Sequence, residues 1–373
     1  MRHIPIVTAA AEHTFQVVKG RGSTWALPHR FERLGRVDVD DGWTCERTGW
    51  PGEGQAVQTH VREERVRTIL AGNDSPDIGF DLSINPYRGC EHGCIYCYAR
   101  PTHSYLDLSP GIDFETRIVA KVNAAERLRE AFMAPGYEPQ LLNIGSATDA
   151  YQPVERRLRI TRSILEVMCE FRHAFSVITK SSGIERDLDL LVPMARQRLA
   201  AVYVSITTLD PQLARVMEPR AASPERRLLT IRRLADAGVP VGVSVSPVIP
   251  FLNEPDLERI LEAAFSAGAR SAFSIVLRLP WEVNPLFQQW LAQHFPDRAK
   301  RVMSRIREMR SGRDNDSRFG SRMTGQGVWA TLVRQRFEKT VRRLGLDQSR
   351  EGLDLTQFRR PEVIAPCGQQ SLF

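Results

Sequence analysis

Three cysteines lie within eight residues of one another, as Cys90, Cys94 and Cys97 in a C-x3-C-x2-C pattern. Thiolates are soft ligands that select iron–sulfur clusters or zinc over harder cations. Three thiolates on one short loop can hold three irons of a four-iron cubane, which leaves the fourth iron without a protein ligand. A small molecule could bind that iron through its own amino and carboxylate groups. The spacing therefore predicts a [4Fe-4S] cluster with one open coordination position.

A zinc site is the main alternative for the same cysteines. His92 or a distant residue would then supply the fourth ligand. Structural zinc sites usually combine two C-x2-C elements, however, and the sequence has no second pair. The remaining cysteines, Cys45, Cys169 and Cys367, stand alone. This distribution favours a metal cluster and reduced thiols over disulfides, and it favours iron over zinc.

The elements that would position these cysteines alternate regularly from residue 81 onward. Short β-branched or apolar runs are separated by longer amphipathic segments, a pattern that predicts βα units around parallel strands. The predicted strands are 81–85, 141–147, 175–179, 202–207, 241–246 and 272–277, and the predicted helices are 115–132, 154–171, 184–196, 224–237 and 255–267. Six such units form a partial (β/α)6 barrel of the TIM type. Chemistry in these barrels occurs at the C-terminal ends of the strands, and the cysteines follow the first predicted strand.

Two extensions flank the predicted barrel, which spans residues 81–280. Residues 1–80 contain many glycines and prolines without a regular pattern, so we expect an irregular N-terminal extension. Residues 281–373 are rich in Arg, Trp and Phe, and we expect a helical C-terminal extension. The N-terminus shows no basic segment followed by an apolar run, and no apolar stretch is long enough for a membrane span. We expect a cytoplasmic protein without a membrane partner.

The formal net charge is +7, and the excess of basic residues is concentrated near the C-terminus. Between residues 297 and 343 there are fourteen Lys or Arg against five Asp or Glu. Clustered arginines are typical of a surface that binds nucleic-acid phosphates. The alternative is a set of solvated helix faces with no partner.

The cysteine motif, read as Cys90-x3-Cys94-x-Tyr96-Cys97, resembles the signature of radical S-adenosylmethionine (SAM) enzymes. Residues 85–101 are similar to the group related to spore photoproduct lyase, commonly labelled DNA-repair-photolyase-like. The resemblance covers roughly residues 80–280, and residues 19–22 and 281–337 resemble a subgroup within that group. Further segments that carry it are 148–155, 179–181, 205–208, 218–220 and 247–250.

The resemblance implies that the cluster cleaves SAM reductively and that the resulting 5′-deoxyadenosyl radical abstracts hydrogen from a substrate. An electron donor such as flavodoxin or ferredoxin would supply the electron. Tyr96 and Tyr98 would contact the adenine end of SAM. Lys180 and Ser205 match positions that bind the SAM carboxylate in the lyase. Asp149 follows the second predicted strand, where other radical SAM proteins bind the SAM amino group.

Three of these assignments have structural alternatives. Lys180 could be an ordinary lysine at a strand end, although a buried cation there requires a partner. Ser205 could face the helix layer. Asp149 could cap the following helix instead of accepting a hydrogen bond from SAM.

One departure from the lyase concerns the return of hydrogen to the product. Spore photoproduct lyase uses a cysteine placed just after strand two, and this sequence has no cysteine between residues 141 and 155. Cys169 falls within the next predicted helix. Direct reversal of thymine photodimers by that route is therefore not expected from the sequence.

Three functional hypotheses remain open from the sequence. The first is a radical SAM enzyme that acts on nucleic acid or a DNA lesion, and the second is a radical SAM modifier of a peptide or small metabolite. The third is a non-catalytic iron–sulfur protein that folds a DNA-binding module. Flavin-dependent photolyase chemistry has no support, because no dinucleotide-binding glycine motif follows a strand.

The final residues, Gln369 to Phe373, read QQSLF and follow two prolines and a glycine. A glutamine followed by Leu-Phe resembles the short peptide with which bacterial DNA repair proteins bind the sliding clamp. The alternative is a tail whose Leu372 and Phe373 fold back onto the protein.

Overall fold

The computed structural model describes residues 20–32, 57–347 and 352–361. Its strands are β1 (His60–Glu64), β2 (Leu70–Gly72), β3 (Leu82–Ile84), β4 (Tyr87–Arg88), β5 (Arg117–Lys121), β6 (Leu142–Ile144), β7 (Phe175–Thr179), β8 (Ala200–Ser205), β9 (Val241–Val248) and β10 (Ser271–Val276). Its helices are α1 (Asp113–Thr116), α2 (Ala124–Met133), α3 (Glu155–Leu158), α4 (Ile160–Phe171), α5 (Leu188–Arg196), α6 (Pro211–Met217), α7 (Pro224–Asp236), α8 (Leu257–Ser266), α9 (Val283–His294), α10 (Pro296–Met309) and α11 (Gly327–Leu344).

Seven strands form the main sheet, in the order β10-β9-β8-β7-β6-β3-β2. Six of these strands are parallel to one another, namely β3, β6, β7, β8, β9 and β10. The remaining strand, β2, pairs antiparallel with β3 at the edge. Each parallel strand lies beside the next one in the chain, as expected for successive βα units. The prediction of an α/β fold with six parallel strands is confirmed.

The two faces of this sheet differ in polarity. The face toward the helices consists of fully buried apolar residues such as Val177, Val202 and Val243. The inner face carries small or polar residues at alternate positions of paired strands, as in the pairs Asn143–Ser176 and Ser205–Ser244. The side chains of the inner face do not fill the interior of the curved sheet, and a cavity remains there.

Helix boundaries follow local signals where these are strong. The Ser223 hydroxyl oxygen accepts from the Arg226 amide at the start of α7, and Pro224 occupies the first helical position. Gly238 ends the same segment with a φ of 81°, a left-handed conformation that favours glycine. Both features agree with the sequence analysis.

Three expectations were wrong in detail. The predicted helix 115–132 is a short helix, the strand β5 and the helix α2, and β5 joins β1 and β4 in a separate three-stranded sheet. The predicted helix 154–171 is broken at Arg159, whose φ is 53°. Residues 57–80 are not irregular, because they contain β1 and β2.

The C-terminal part is helical, as predicted, and it packs on the barrel through α9, α10 and α11. Residues 352–361 then cross the end of the sheet opposite to the cysteines. The Phe358 ring lies 5.8 Å from that of Phe132 and 5.5 Å from that of His173, and the Asp354 amide donates to the Arg198 carbonyl at 2.9 Å. No helix among the described residues is both long and apolar enough to cross a bilayer.

Candidate active site

The three clustered cysteines line the C-terminal end of a cavity of about 1100 Å³ that runs through the interior of the sheet. Cys90 and Cys94 are buried and Cys97 is partly exposed. Gly89 and Gly93, on the same loop, have φ values of 80° and 67°. A Cβ on Gly89 would also lie 2.9 Å from the Phe114 carbonyl oxygen, so the loop can take this path only with glycine there.

The surroundings of the thiols fit a group that brings positive charge. Burial raises the pKa of Cys90 well above its ordinary value, and the neighbouring Asp149, Cys94 and Cys97 raise it further. Burial likewise raises the pKa of Cys94 to about 12. Cations held by the same thiols would reverse this effect and favour thiolates, because a nearby positive charge stabilises the ionised form. Ionisation of these thiols therefore requires a positive charge beside them, which a metal cluster would supply.

A buried network of charged residues supports the cysteine loop. Arg100 is fully buried and donates to the Cys94 carbonyl at 2.9 Å and the Gly93 carbonyl at 3.2 Å. It also pairs with Glu115, whose carboxylate accepts from the Gly22 and Ser23 amides at 2.9 and 2.8 Å. The N-terminal segment at Gly22 is thereby fixed against the cysteine loop.

Gly22 approaches that loop so closely that no other residue fits. A Cβ at Gly22 would lie 1.9 Å from the Gly93 carbonyl oxygen. Arg21 adds a bond to the Glu115 carbonyl at 2.8 Å. In the sequence, residues 19–22 stood out only through the resemblance to the family subgroup, and no role was predicted for them.

Tyr96 and Lys180 meet at a second buried network. The Tyr96 hydroxyl donates to the Glu218 carboxylate, which also pairs with Arg227 and accepts from Thr207 at 2.9 Å. The Lys180 ammonium lies 5.9 Å from the centroid of the Tyr96 ring. Burial alone would lower the pKa of Lys180, but Cys94 and Glu218 outweigh it and raise the pKa. Lys180 is therefore a cation beside the cysteines.

Both oxygens of the Asp149 carboxylate accept hydrogen bonds from neighbouring residues. Its Oδ1 accepts from the Thr179 hydroxyl at 2.7 Å and the Tyr151 amide at 2.9 Å. Its Oδ2 accepts from the Lys180 amide at 2.7 Å and lies 3.2 Å from His92 Nδ1. Although burial opposes ionisation, these partners hold the pKa of Asp149 well below its usual range. The carboxylate ties the loop after β6 to the end of β7.

Tyr98 and Ser205 also line the cavity. The Tyr98 hydroxyl donates to the Ser146 carbonyl, while 51% of the residue is exposed, so the ring presents a face to the open space. Ser205 ends β8 and faces the cavity and not the helix layer. All eight residues singled out from the sequence are thus brought to one cavity.

Other cavity-lining groups were not foreseen from the sequence. Asn143 Oδ1, Ser244 Oγ and Ser246 Oγ are buried and have no hydrogen-bond partner among the described residues. Unsatisfied buried polar atoms are costly, so they point to a polar ligand or water in this space. Cys169, in contrast, lies between α4 and α5, where its thiol is 3.8 Å from the Leu190 carbonyl oxygen.

Several arginines of the arginine-rich segment are buried or paired with local acids. Arg305 pairs with Glu308 at 2.6 Å and Arg307 with Asp314 at 2.7 Å. Arg310 is buried and donates to the Leu277 carbonyl at 2.7 Å. Much of this charge is therefore neutralised or structural, because local acids are placed beside it.

Some expectations fall outside the described residues. The QQSLF tail at 369–373 and the isolated Cys45 and Cys367 are among them. The same holds for Lys19 of the N-terminal motif.

Comparisons with known proteins agree with this geometry. A family model described as the Radical SAM superfamily matches residues 84–264. An uncharacterized protein of Mycobacterium tuberculosis (strain ATCC 25618 / H37Rv) is 36% identical over 232 residues, which are 62% of this chain and 67% of the relative. An uncharacterized protein of Methanocaldococcus jannaschii is 28% identical over 221 residues, covering 59% and 78% of the two chains.

Among solved structures, spore photoproduct lyase complexed with dinucleoside spore photoproduct has a TM-score of 0.56 at 16% identity. The match covers 80% of this chain and 84% of the lyase. A Y98F mutant of the lyase matches with a TM-score of 0.54, also at 16% identity, over 77% of this chain and 80% of the mutant. At this identity the likeness establishes a shared fold. Taken together with the family match, these relationships place the chain in the radical SAM superfamily of enzymes.

Proposed function

We propose that this enzyme binds a [4Fe-4S] cluster on Cys90, Cys94 and Cys97 and uses SAM to modify nucleic acid or a DNA lesion. The observation that supports it most is the convergence of the three thiols with a half-buried cation, Lys180, on one cavity. When bound, the cluster and SAM supply a 5′-deoxyadenosyl radical that abstracts hydrogen from the substrate. The protein supplies position, charge and exclusion of water.

The residues around the cavity suggest how SAM would be held. Lys180 would pair with the SAM carboxylate, and the Ser205 hydroxyl would donate to it. Tyr96 is fixed by Glu218 beside the cysteines, and Tyr98 presents its ring, so both would contact the adenine end. Asp149 would act indirectly, because its oxygens already hold the ends of β6 and β7.

The size of the cavity supports a second ligand. Sites for small molecules have volumes of about 300–1,000 Å³. At about 1100 Å³ over the whole interior of the sheet, from the cysteines to Arg270, the cavity is slightly larger than this range. The lyase that shares the fold was solved with a dinucleoside lesion, which is a substrate of this scale.

An exposed aromatic patch outside the cavity supports a nucleic-acid substrate. Phe31, Tyr105 and Trp281 are 50%, 71% and 66% exposed. The Arg30 guanidinium carbon lies 4.6–5.1 Å from their three ring centroids. Aromatic faces combined with arginine are typical of surfaces that stack unpaired bases.

The proposal is tested by mixing anaerobically reconstituted protein with dithionite, SAM and candidate substrates. We expect 5′-deoxyadenosine to form, and its yield to rise with single-stranded or damaged DNA. A yield that rises only with a peptide or a metabolite would support modification of those substrates instead. No 5′-deoxyadenosine under any condition would support a non-catalytic iron–sulfur protein.

Two partners belong to this proposal. A small redox protein such as flavodoxin or ferredoxin would deliver the electron, and the QQSLF tail would bind the sliding clamp and raise the local concentration at DNA. Deleting Leu372 and Phe373 should then abolish clamp binding while iron content is unchanged. No affinity of the intact chain for its organism's clamp would end the clamp hypothesis.

A further inference from the structure

A second cation lines the cavity on the side away from Lys180. Arg278 follows β10 and is partly buried, with its guanidinium carbon 5.8 Å from the Tyr98 ring centroid. Lys180 follows β7, three strand spacings away, or about 14 Å along the sheet. The two positive charges therefore lie on opposite sides of the same mouth.

Arg278 has no acid of its own among the described residues. Its Nε atom is buried without an acceptor, and its Nη1 contacts only the weakly accepting Met323 sulfur at 3.7 Å. Burial lowers the pKa of Arg278, and the nearby Arg322 lowers it further. A guanidinium with five donors is thus left largely unpaired beside open space.

The nearest acid is already occupied. Asp77 accepts from Arg322 at 2.8 and 2.5 Å and from the Gly320 amide at 3.3 Å. Both of its oxygens are therefore used by the C-terminal loop. An incoming anion could therefore pair with Arg278 without competing with an acid of the described residues.

SAM does not provide that anion once Lys180 is paired. The cofactor has a single carboxylate, and on the proposed function this group lies beside Lys180. A second cation at the far side of the cavity therefore faces the substrate. The unpartnered Ser246 hydroxyl on the adjacent strand β9 adds a polar group to the wall of the same cavity.

We propose that Arg278 is a specificity-determining residue that binds a phosphate of the substrate strand beside Tyr98. This inference rests on the proposed function, because it assumes that SAM occupies the Lys180 side. A guanidinium fork binds phosphate oxygens in a bidentate manner. Arg278 thereby selects nucleotides over uncharged substrates of the same shape.

The test compares two dinucleotides that differ at a single non-bridging phosphate oxygen. One is thymidylyl-3′,5′-thymidine, and the other is its uncharged methylphosphonate analogue. Binding of each to the reconstituted protein with SAM is measured by calorimetry. We expect wild-type protein to prefer the charged dinucleotide by about tenfold or more, and Arg278→Gln to lose this preference with unchanged iron content and SAM affinity.

Two further variants control the comparison. Arg270 lines the same cavity at its opposite end, where it donates to the Ala269 carbonyl at 2.8 Å, so Arg270→Gln should keep the preference. Arg278→Lys keeps the charge without the fork, so it should keep a reduced preference. It also serves as the test if Arg278→Gln does not fold.

The outcomes separate this inference from the proposed function. If the wild type binds both dinucleotides equally, or Arg278→Gln keeps the full preference, Arg278 does not bind phosphate, and the nucleic-acid function still stands. If neither dinucleotide binds while a peptide or metabolite stimulates SAM cleavage, the proposed substrate class is wrong, and the inference falls with it.

Discussion

Arg100 and Glu115 form an ion pair in which neither side chain has any exposure to solvent, with Nη2 2.5 Å from Oε1. The pair connects the carbonyl of Cys94 to the N-terminal segment at Gly22. Its removal would disturb the loop that carries all three cysteines.

We predict that Glu115→Gln destabilises the protein by about 3–5 kcal/mol, because Arg100 would become an uncompensated buried cation. Denaturant unfolding measures the loss, and iron retained after reconstitution should fall with it. Glu130→Gln is the matched control, since Glu130 is 54% exposed in its pair with Arg127 and should cost less than about 1 kcal/mol. Equal stability of the two variants would contradict the role given to Glu115.

Lys180→Ala should weaken SAM binding by about tenfold or more while leaving the iron content unchanged, because the lysine would pair with the SAM carboxylate and not with iron. Calorimetric titration of SAM into reconstituted protein provides the measurement. Lys339→Ala, on the exposed side of α11, is the control. An unchanged SAM affinity would show that the carboxylate is bound elsewhere.

His173 should make the protein less stable in mild acid. Burial lowers its pKa from 6.5 to about 4, and the neutral ring is satisfied by the Ala174 carbonyl at 2.8 Å and the Tyr137 hydroxyl at 2.7 Å. The unfolded chain therefore takes up the proton first as pH falls. The stability contributed by the neutral ring is fully present above pH 6.5 and is lost as pH falls toward 4.

Between pH 7 and pH 5 this single group should cost roughly 2 kcal/mol. Urea unfolding at both pH values measures it, and His173→Asn should show a smaller loss between them even though it is less stable overall. Equal losses for wild type and variant would show that His173 does not titrate in this range.

Arg310 and Arg305 should behave differently although both belong to the arginine-rich segment. Arg310→Gln removes a buried cation from the Leu277 and Ser321 carbonyls and should cost about 1.5–3 kcal/mol. Arg305→Gln breaks an exposed pair with Glu308 and should change stability by less than about 1 kcal/mol. Thermal unfolding distinguishes them. If both substitutions have similarly small effects on stability, the buried structural role of Arg310 is contradicted.

The sequence predicted the helices and strands whose hydrophobic periodicity is clear. The six parallel strands and the capping of α7 by Ser223 followed from local patterns, because alternation and capping act over a few residues. The strand β5 was missed because its pairing is long-range. Val119 pairs with Arg62 and with Arg88, and neither partner is visible in a local window.

The site was predicted where residue type alone carries the chemistry, as for the three cysteines. Its supporting network was not. Arg227 shares the buried face of α7 with Ile231 and Leu234, and a charged residue on an apolar helix face was a usable signal of a buried partner. No such signal marks Arg278 in the sequence, because its lack of an acidic partner depends on how the C-terminal loop pairs with Asp77.

The central claim is most directly tested by iron analysis of the anaerobically reconstituted chain together with 5′-deoxyadenosine formation after addition of SAM and dithionite. We predict about four irons per wild-type chain and formation of the nucleoside. We also predict loss of both in Cys94→Ala and retention of both in Cys169→Ala, since Cys169 lies outside the cavity. Bound zinc in place of iron, or an intact cluster in Cys94→Ala, would contradict the account.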